Sequence, residues 1–385
     1  MTYDVIILGA GIIGVTLAHA LTGKGKRVLL LDPNGIATGT TAASFAWANA
    51  STKTGDEAYH RLNVAGMQAH RALAAAYGAG PLGITLSGAL QVVASDDEAG
   101  LKAMRRDAEI LTAFGYSARI LDTAGLQALE PDLTFTAGEQ ALHLPDDMII
   151  DAPRFTQFLA DRMQEQGGTF LRARADNILA DDMGKVHGVD TDHGPKHAPQ
   201  VIVTAGKDTG QVLADLTGYA PFAGRFPVKQ VPGLLLTTPP VANIGLRHLI
   251  YGATSNELHV LPTGQGGLKI GSDDIDAQIW DDTSDSAKAR GGAALLERAT
   301  RFWPDLPDRV DLAGCQLQIG IRAYPEDGKT LIGPLPGADG LSVIATHSGI
   351  TLAPALAGLM TDWITTGRQP AVLQPFSLDR MPGFA

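Results

Sequence analysis

Three glycines and one carboxylate near the start of the chain have the spacing of a dinucleotide-binding site. Gly9, Gly11 and Gly14 form the pattern G-x-G-x-x-G, and Asp32 follows 18 residues after Gly14. The first glycine permits a tight turn, the second lets a pyrophosphate approach the backbone, and the third lets a helix pack closely on a sheet. Asp32 stands where a carboxylate binds the ribose hydroxyls. The alternative is a glycine-rich turn that binds nothing.

The segments around these glycines predict the elements that would hold them in place. Residues 5–8 and 28–31 are continuous apolar runs of the kind that form buried parallel strands, and residues 15–22 have helical spacing. A helix that starts after the glycines presents free N–H groups to a phosphate. We therefore expect a strand, a helix and a second strand. The other residues predicted to contact the ligand here are Ile12, Ile13 and Pro33.

Three further segments of small or hydroxyl-bearing residues are predicted to contact the same ligand. The first, residues 39–50, carries no charge and closely follows the ribose-binding acid, so it can lie flat against a ligand; the alternative is an ordinary loop. The second follows a predicted strand at 200–203, and the third joins a predicted strand at 341–345 to a helix over 352–366. The predicted contact residues are Thr40, Thr41, Ala43, Ser44, Ala46, Thr204, Ala205, Gly206, Gly349, Ile350, Thr351 and Leu352.

The composition limits the classes of protein to which the chain can belong. It has 385 residues, 45% of them hydrophobic, which suits two domains or one large one with a sizeable core. A net charge of −11 without a basic cluster argues against a nucleic acid partner. No apolar run reaches transmembrane length, and the first strand starts too near Met1 for a signal peptide. The single cysteine, Cys315, excludes an internal disulfide and a cysteine-based metal site. We expect a cytoplasmic protein without a metal.

Spacing and capping residues predict elements in the rest of the chain. Helices are expected over 57–77, 97–114, 123–130 and 286–302. A further helix is expected to start at Asp151, which has the marks of an N-cap, and to stop at Gly167. Short apolar strands dominate residues 222–318, which is typical of an antiparallel sheet.

The order of these motifs resembles that of a known protein family. The glycine pattern, the Thr204-Ala205-Gly206 turn and the block from Gly320 to Leu352 are similar to the D-amino acid oxidase family of flavoproteins, near its glycine oxidase, sarcosine oxidase and D-amino acid dehydrogenase branches. The resemblance covers essentially the whole chain. It implies an α/β (α+β) fold: a Rossmann-like FAD-binding domain of glutathione-reductase type plus a substrate domain with a large antiparallel β-sheet. On this basis residues 1–82, 146–220 and 321–385 are predicted to form the FAD-binding domain, and residues 83–145 and 221–320 the substrate domain.

The resemblance implies that one arginine binds the carboxylate of a substrate. The segment from Gly320 to Gly328 resembles the family pattern G-L-R-P-x-x-x-D-G, whose arginine often holds that carboxylate. Arg322 suits the role because a guanidinium fork makes two charge-assisted hydrogen bonds to one carboxylate. Ala323 replaces the usual proline, so the loop is expected to differ locally. The alternative for Arg322 is a structural tie between this loop and the sheet.

The resemblance also implies roles for two side chains and one helix N-terminus beside the flavin. Lys269 resembles a lysine of the sarcosine oxidase branch that lies over the flavin and assists its reaction with oxygen. His259 has about the place of a substrate-pocket aromatic residue in glycine-oxidase-like relatives. For both, the alternative is a strand residue that faces solvent. Backbone N–H groups of residues 349–352 are expected to stabilise negative charge on the reduced flavin, and His347 is expected to be structural.

FAD is expected to be held without a covalent bond. Covalent relatives attach the flavin to a histidine in the stretch after the ribose acid, or to a cysteine seven residues before the aspartate of the arginine loop. Residues 39–44 contain no histidine, and the place seven residues before Asp327 is Gly320. Cys315 lies five residues earlier still, an odd shift that turns a strand side chain to the opposite face.

These features predict an FAD-dependent enzyme that oxidises the C–N bond of a small amino acid or N-substituted glycine. Hydride transfer to flavin N5 would give an imine that hydrolyses to an oxo acid and an amine or ammonia, with positioning rather than a side-chain base as the main source of acceleration. We expect an oxidase, with oxygen or another electron acceptor. The alternatives are a dehydrogenase, an NAD(P)-linked reductase and a subunit that binds FAD without catalysis. An oligomer is compatible with the sequence, and the candidates for the pocket mouth are Trp47, Asn49, Lys53 and His60.

Overall fold

Apolar runs and amphipathic segments divide the chain into short strands and helices. The computed structural model describes residues 2–216, 226–252, 258–382 and 384. The helices are α1 (Ile12–Gly23), α2 (Glu57–Tyr77), α3 (Ala79–Leu82), α4 (Glu98–Ala113), α5 (Thr123–Leu129), α6 (Ala152–Glu165), α7 (Thr209–Asp215), α8 (Asp273–Gln278), α9 (Asp285–Ala299), α10 (Leu306–Arg309) and α11 (Gly349–Thr366). The strands are β1 (Val5–Leu8), β2 (Val28–Leu31), β3 (Trp47–Ala48), β4 (Ile84–Thr85), β5 (Ala89–Val93), β6 (Arg119–Leu121), β7 (Gln140–Leu144), β8 (Met148–Ile150), β9 (Thr169–Leu171), β10 (Ala175–Ala180), β11 (Val186–Thr191), β12 (Lys196–His197), β13 (Val201–Val203), β14 (Val228–Thr237), β15 (Leu249–Gly252), β16 (His259–Pro262), β17 (Leu268–Gly271), β18 (Gln316–Pro325), β19 (Leu331–Pro334) and β20 (Leu341–Ala345). Short 3-10 segments cover Gly206–Asp208, Leu312–Gly314, Ala371–Phe376 and Leu378–Arg380.

The predicted strand–helix–strand unit lies in the middle of one sheet, here called the central sheet. Within the described residues its strand order is β19-β20-β13-β1-β2-β9; β19 is antiparallel to β20, and the other neighbours are parallel. Val5 and Ile7 of β1 pack in the hydrophobic cluster of α1, α6 and α11, whereas Ile6 and Leu8 pack toward the sheet β10-β11-β12. Burial on both faces explains the nearly unbroken apolar runs of the central strands.

A second, larger sheet is mainly antiparallel, as predicted. In the described ranges its order is β18-β14-β17-β16-β15-β5-β7-β6, with a parallel pair between β15 and β5. One face, with Leu234 and Ile270, packs on α9. The other face carries Tyr251 and Leu261, which lie in one cluster with Phe45 from the segment between β2 and β3. A small sheet of order β3-β8-β4 contributes Met148 to the hydrophobic cluster of α1 and Ile149 to the cluster of Tyr251. No helix in the described part of the chain is long and apolar enough to cross a membrane.

Several predicted elements agree with the structure. The helices predicted over 57–77 and 123–130 correspond to α2 and α5, and the strand predicted at 341–345 is β20. Asp151 caps α6, since its carboxylate accepts a hydrogen bond from the backbone N–H of Arg154 (3.2 Å). Gly367 ends α11 in the left-handed conformation (φ 70°).

Other boundaries differ from the prediction. Helices α1 and α11 begin within their glycine-containing turns, because Val15 N–H already donates to the Gly11 carbonyl and Leu352 N–H to the Ser348 carbonyl, each at 3.0 Å. The predicted domain boundary between residues 320 and 321 falls inside β18, a continuous strand paired along its length with β14. The boundary at 220/221 lies outside the described residues. The division into two domains stays a prediction.

One glycine allows α2 and α11 to approach closely. A Cβ added to Gly66, in the middle of α2, would lie 2.3 Å from the Thr351 carbonyl oxygen in the first turn of α11. That distance is well inside van der Waals contact, so any larger residue must push the two helices apart. Gly358 of α11, by contrast, is exposed and has no atom within 4 Å of the added Cβ.

We expect Gly66→Ala to destabilise the protein by about 1–3 kcal/mol through overpacking, although alanine favours helices more than glycine does. The matched variant Gly358→Ala should stabilise it by about 0.5–1 kcal/mol, because only the propensity changes there. Urea unfolding followed by circular dichroism measures both. A Gly66→Ala midpoint at or above the wild-type value would contradict the close contact.

Candidate active site

Two helix N-termini meet beside β1 of the central sheet. α1 starts after Gly11 and α11 starts after Ser348, and neither of these two N-cap residues makes a side-chain capping hydrogen bond. A Cβ added to Gly349 would lie 3.7 Å from the Ile13 side chain and 3.9 Å from that of Ile12, so the two first turns are neighbours. The uncapped N–H groups of both helices carry partial positive charge and suit an anionic ligand.

The predicted pattern from Gly9 to Gly14 forms a turn, here called the glycine turn, in which Gly9 and Gly14 leave no room for a larger residue. Gly9 has φ 111°, a conformation that favours glycine. A Cβ on Gly14 would lie 1.9 Å from the Gly9 carbonyl oxygen and 2.6 Å from Thr204 Oγ1. The Thr204 hydroxyl lies within hydrogen-bond distance of both the Leu8 and the Gly9 carbonyl oxygens (3.1 and 3.0 Å). Thr204 therefore supports this turn from the neighbouring strand β13.

Asp32 ties the end of β2 to the same turn. Its Oδ2 accepts a hydrogen bond from the backbone N–H of Ala10 (2.9 Å), and its Oδ1 accepts from those of Asn34 and Gly35 (2.8 and 3.1 Å). A carboxylate has about four acceptor sites, so these bonds leave capacity for a hydroxyl group of a ligand. Its predicted contact with a ribose stays a prediction. Pro33 follows, and its carbonyl accepts from Arg172 Nε (3.0 Å).

The segment from Thr40 to Ala46, here called the bridging loop, joins the glycine turn to the larger sheet. Thr41 Oγ1 accepts a hydrogen bond from the Ile12 N–H (3.0 Å), and the Ser44 hydroxyl donates to the Thr41 carbonyl (3.2 Å). Ala46 has φ 63°, a rare conformation for a residue with a side chain. The loop is thus fixed at the N-terminus of α1.

The far side of the bridging loop contacts β18 directly. The Thr40 hydroxyl donates to the Ile321 carbonyl (2.6 Å). A Cβ on Gly320 would lie 1.8 Å from the Ala43 carbonyl oxygen, so a glycine at this position is what lets the loop lie on the strand. These contacts place the glycine turn and the strand that carries Arg322 on opposite sides of one short loop.

The remaining predicted contact residues lie around the two turns. Thr351 Oγ1 accepts from the Asn49 N–H (3.1 Å), and the Ile350 carbonyl accepts from His70 Nε2 (2.7 Å). Leu352 is buried in the core next to α1. Ala205 packs on the cluster below the sheet, and Gly206 (φ 57°) begins the 3-10 segment that follows β13.

The three side chains predicted to be catalytic project from one face of the larger sheet. Lys269 is paired with Leu261 of β16, and His259 lies two residues before Leu261 on that strand. Lys269 is also paired with Thr237 of β14, whose alternate residue Val231 is paired with Arg322. Directly opposed residues share a face, and so do alternate residues along a strand. Arg322, Lys269 and His259 therefore share the face that the bridging loop covers.

Lys269 points at the bridging loop. Its Nζ donates to the Ser44 carbonyl (3.1 Å), and burial lowers the pKa of its ammonium group. The alternative of a lysine that faces solvent is therefore wrong. The residue holds a positive charge partly shielded from water, next to the loop that reaches the glycine turn.

His259 is enclosed by aromatic rings and one carboxylate. Its ring lies 6.1 Å from that of Phe45 and 6.5 Å from that of Tyr251, and its Nε2 is 3.7 Å from Asp273 Oδ2. The interaction with His259 lowers the pKa of Asp273. The histidine Nδ1 is buried without a hydrogen-bond partner among the described residues. The solvent-facing alternative is wrong for this residue too.

Arg322 lies within β18 and makes an ion pair with Asp276 of α8, using only part of its guanidinium group. Nη2 donates to Asp276 Oδ2 (2.7 Å) and to the Pro232 carbonyl (3.3 Å). The side chain is still 39% exposed. Arg322 thus combines an ion pair on one side with donors free to bind a ligand on the other.

The structure reveals a buried carboxylate that the sequence did not indicate. Asp147 is fully buried and accepts hydrogen bonds from Trp47 Nε1 (2.9 Å), the Ser51 hydroxyl (2.7 Å) and the Tyr116 hydroxyl (2.5 Å). Burial raises the pKa of Asp147 to about 7, although the three donors oppose that shift. The carboxylate fixes Trp47, whose ring lies 4.7 Å from Tyr251 on the site face of the larger sheet. No spacing rule connects residues this far apart in the chain.

A row of rings and one lysine borders the N-terminus of α11. His347 stacks on Tyr324 with ring centroids 4.4 Å apart, and burial lowers the pKa of His347 to about 3, so it is a neutral packing residue, in line with its expected structural role. The Tyr59 hydroxyl donates to Ser348 Oγ (2.9 Å), and Lys53 Nζ lies 5.8 Å from the centre of the Tyr59 ring. Burial lowers the pKa of Lys53 to about 8.

Two of the pocket-mouth candidates, His60 and Asn49, are buried. His60 Nδ1 lies 2.9 Å from the Ala50 carbonyl oxygen, and Asn49 Oδ1 accepts from the Thr52 hydroxyl (2.8 Å). In the described ranges no cluster of His, Cys, Asp or Glu side chains is placed to hold a metal ion.

Comparisons with known proteins match the chain to one family over most of its length. The sequence model of the family described as "DAO: FAD dependent oxidoreductase" matches residues 4–363. The chain is 26% identical to glycine oxidase from Geobacillus kaustophilus over 99% of its own length and 98% of that protein. It is 28% identical to a D-amino acid dehydrogenase from Rhizorhabdus wittichii over 71% of its length, a match that spans 63% of the relative.

Solved structures show the same fold. The crystal structure of glycine oxidase from Geobacillus kaustophilus superposes with a TM-score of 0.82 at 23% identity, covering 99% of each chain. That of L-proline dehydrogenase from P. horikoshii gives a TM-score of 0.82 at 20% identity, covering 97% of this chain and 96% of the other. The predicted fold class is confirmed. The glycine turn, the two uncapped helix N-termini and the unpartnered Nδ1 of His259 fit FAD and a small substrate.

We expect Thr41→Val to weaken retention of FAD, because it leaves the buried N–H of Ile12 without its acceptor and loosens the bridging loop. An unsatisfied buried donor costs about 1–3 kcal/mol. The ratio of flavin to protein absorbance after gel filtration measures the loss. The control is Thr38→Val, which removes an exposed hydroxyl from the same region. Equal flavin content in both variants would contradict the role of Thr41.

Proposed function

The chain belongs to the DAO family of FAD-dependent oxidoreductases, and we propose that it oxidises the C–N bond of a small amino acid or N-substituted glycine. The family membership confirms the resemblance inferred from the motifs and argues against an NAD(P)-linked reductase. FAD, when bound, supplies the hydride acceptor and passes the electrons to oxygen or another acceptor. The chain's own residues bind FAD, orient the substrate and exclude water.

The common face of Arg322, Lys269 and His259 is the observation that carries the proposal. These residues come from three strands, and the bridging loop lies between them and the glycine turn. A cofactor that extends from that turn along the loop reaches the face from which all three project. The Nη1 donors of Arg322 then offer positive charge and hydrogen bonds to a carboxylate.

The names of similar proteins support this class of substrate. Glycine oxidase, D-amino acid dehydrogenase, L-proline dehydrogenase and iminodiacetate oxidase all act on amino acids or secondary amines that carry a carboxylate. For such substrates, fixing the carboxylate orients the α-carbon, and the acceleration comes from orientation and electrostatics. We therefore assign no side-chain base.

The electron acceptor divides the proposal into two candidates. We favour an oxidase because Lys269 holds a partly buried cation against the bridging loop, where it can stabilise negative charge that develops on oxygen. The second candidate is a dehydrogenase, since similar proteins carry both names. An anaerobic panel of amino acids and N-substituted glycines tests the function itself: at least one should bleach the flavin. If none does, the result favours the alternative, a subunit that binds FAD without catalysis.

We expect Arg322→Ala to weaken binding of the bleaching substrate by roughly one to two decades, because a hydrogen bond to a charged group contributes about 1.5–3 kcal/mol. FAD content should change much less. Arg322→Lys is the matched variant, since it keeps the charge but loses the fork. Anaerobic titration of flavin reduction gives the affinity. An unchanged affinity in Arg322→Ala would rule out the carboxylate role.

We expect Lys269→Met to slow reoxidation by oxygen by about 10²-fold while it alters anaerobic reduction far less, because methionine keeps the bulk but removes the cation. Stopped-flow measurement of each half-reaction separates the two steps. Lys102→Met, an exposed change on α4, serves as the control. Equal slowing of both half-reactions would indicate a general defect of the pocket.

We expect acid precipitation to release the flavin into the supernatant, because FAD is proposed to be held without a covalent bond. Cys315, with Leu317 and Ile319, packs on the hydrophobic cluster of the opposite face of the larger sheet. Burial also raises the pKa of its thiol. Flavin that stays with a Cys315-containing peptide after digestion would overturn this proposal.

A further inference from the structure

The guanidinium group of Arg322 already holds a carboxylate of the protein itself. The Asp276 carboxylate and the Pro232 carbonyl both accept hydrogen bonds from Nη2, which has two hydrogens to donate. Nη1 and Nε remain, and Nε is buried without a partner among the described residues. A carboxylate bound by two parallel hydrogen bonds needs Nη2 as one of its donors, whether it approaches the guanidinium from the end or from the side. An incoming carboxylate therefore competes with Asp276.

The backbone of β14 holds the Asp276 carboxylate in position. Its Oδ1 accepts a hydrogen bond from the Leu234 N–H (2.7 Å), which holds the carboxylate on β14 while Oδ2 faces Arg322. The neighbouring residue is Gly233, and a Cβ there would lie 2.8 Å from Asp276 Oδ2 and 3.1 Å from Arg322 Nη2. A larger residue at this position would press on both groups of the ion pair.

Besides Arg322, the charge of Asp273 on the same helix acts on Asp276 and raises the pKa of its carboxyl group. On its own helix, Asp273 is adjacent to His259 of β16, and Asp274 is held by Arg298 of α9. Lys269 of β17 is directed to the bridging loop, and β14 offers the Leu234 N–H. Burial raises the pKa of Asp276 to about 6, while the charge of Arg322 opposes that shift. Loss of the Arg322 pair therefore removes a contribution that favours the ionised carboxylate.

We propose that Asp276 is an exchangeable counter-ion of Arg322. When the substrate carboxylate binds, it displaces Asp276 from Nη2, and Asp276 takes up one proton from solvent. This inference rests on the function proposed above, in which Arg322 binds that carboxylate. The proton adds to a carboxylate oxygen of Asp276, and no other bond forms or breaks. Asp276 keeps its hydrogen bond to Leu234 through the other oxygen. The positive charge of Arg322 is thus paired with one negative charge before and after binding.

The sign of the pH dependence follows from this exchange. Below a pH of about 6 the Asp276 carboxyl is increasingly protonated and competes little, so a carboxylate ligand binds tightly. As the pH rises above that value the ionised Asp276 competes, and affinity falls by up to roughly tenfold per pH unit if one full proton is taken up. The exchange assigns this dependence to Asp276, so removal of its carboxylate should flatten it.

Calorimetric titration of the FAD-loaded protein with acetate tests the exchange. Acetate has no amine and stays ionised from pH 6 to 9, so its own titration does not enter. In the wild type, affinity should fall at least tenfold from pH 7 to 9, and titrations in buffers of different ionisation enthalpy should show uptake of nearly one proton at pH 8. Asp276→Asn should bind acetate at least tenfold more tightly than the wild type at pH 9, with little pH dependence.

The control is Asp285→Asn, which removes an exposed carboxylate of α9 and should behave like the wild type. Weaker acetate binding by Asp276→Asn at every pH would show that Asp276 merely orients Arg322 and would overturn the exchange. So would wild-type binding without proton uptake, a measurement that needs no variant. If Arg322→Ala binds acetate as well as the wild type, the carboxylate site proposed above is wrong, and the exchange is wrong with it.

Discussion

The candidate site depends on backbone approaching backbone at distances that exclude a Cβ atom. At three places a glycine lets another segment lie directly on it: Gly14 under the Gly9 carbonyl, Gly320 under the Ala43 carbonyl and Gly66 under the Thr351 carbonyl. These contacts set the shape of the glycine turn, the seating of the bridging loop on β18 and the spacing of α2 from α11. These backbone contacts position the two helix N-termini and the sheet face. The side chains of the site therefore depend on them for their relative positions.

The second feature of the site is a set of ionisable groups removed from water. Asp147, Asp276, Lys269 and Lys53 all have pKa values shifted toward their neutral forms, and burial is the first cause in each case. Buried ionisable groups cluster more often at functional sites than elsewhere. Here they lie around one sheet face and one helix N-terminus, whereas most ion pairs elsewhere in the described chain have at least one well-exposed partner.

The sequence predicted the elements that obey local rules and missed contacts set by distant strands. The first strand, helix and acid follow from the apolar runs around Gly9 and from the position of Asp32, because a parallel strand buried on both faces has a recognisable composition. The capping role of Asp151 was equally local. In contrast, the solvent-facing alternatives for Lys269 and His259 were wrong because the bridging loop, more than 200 residues earlier in the chain, covers that face. Asp147 gave no signal, since its three donors come from other segments.

The same distance in sequence explains why the site requires both large sheets to be in place. Thr41 contacts α1 of the central sheet, Thr40 contacts β18 of the larger sheet, and Lys269 bonds to the loop between them. Neither sheet alone offers both the positive helix N-termini and the face with Arg322. A ligand that spans the loop therefore links the two sheets, and its binding free energy adds to their association. At the edge of that face, the Asp276 carboxylate keeps the partly exposed guanidinium group of Arg322 paired within the protein.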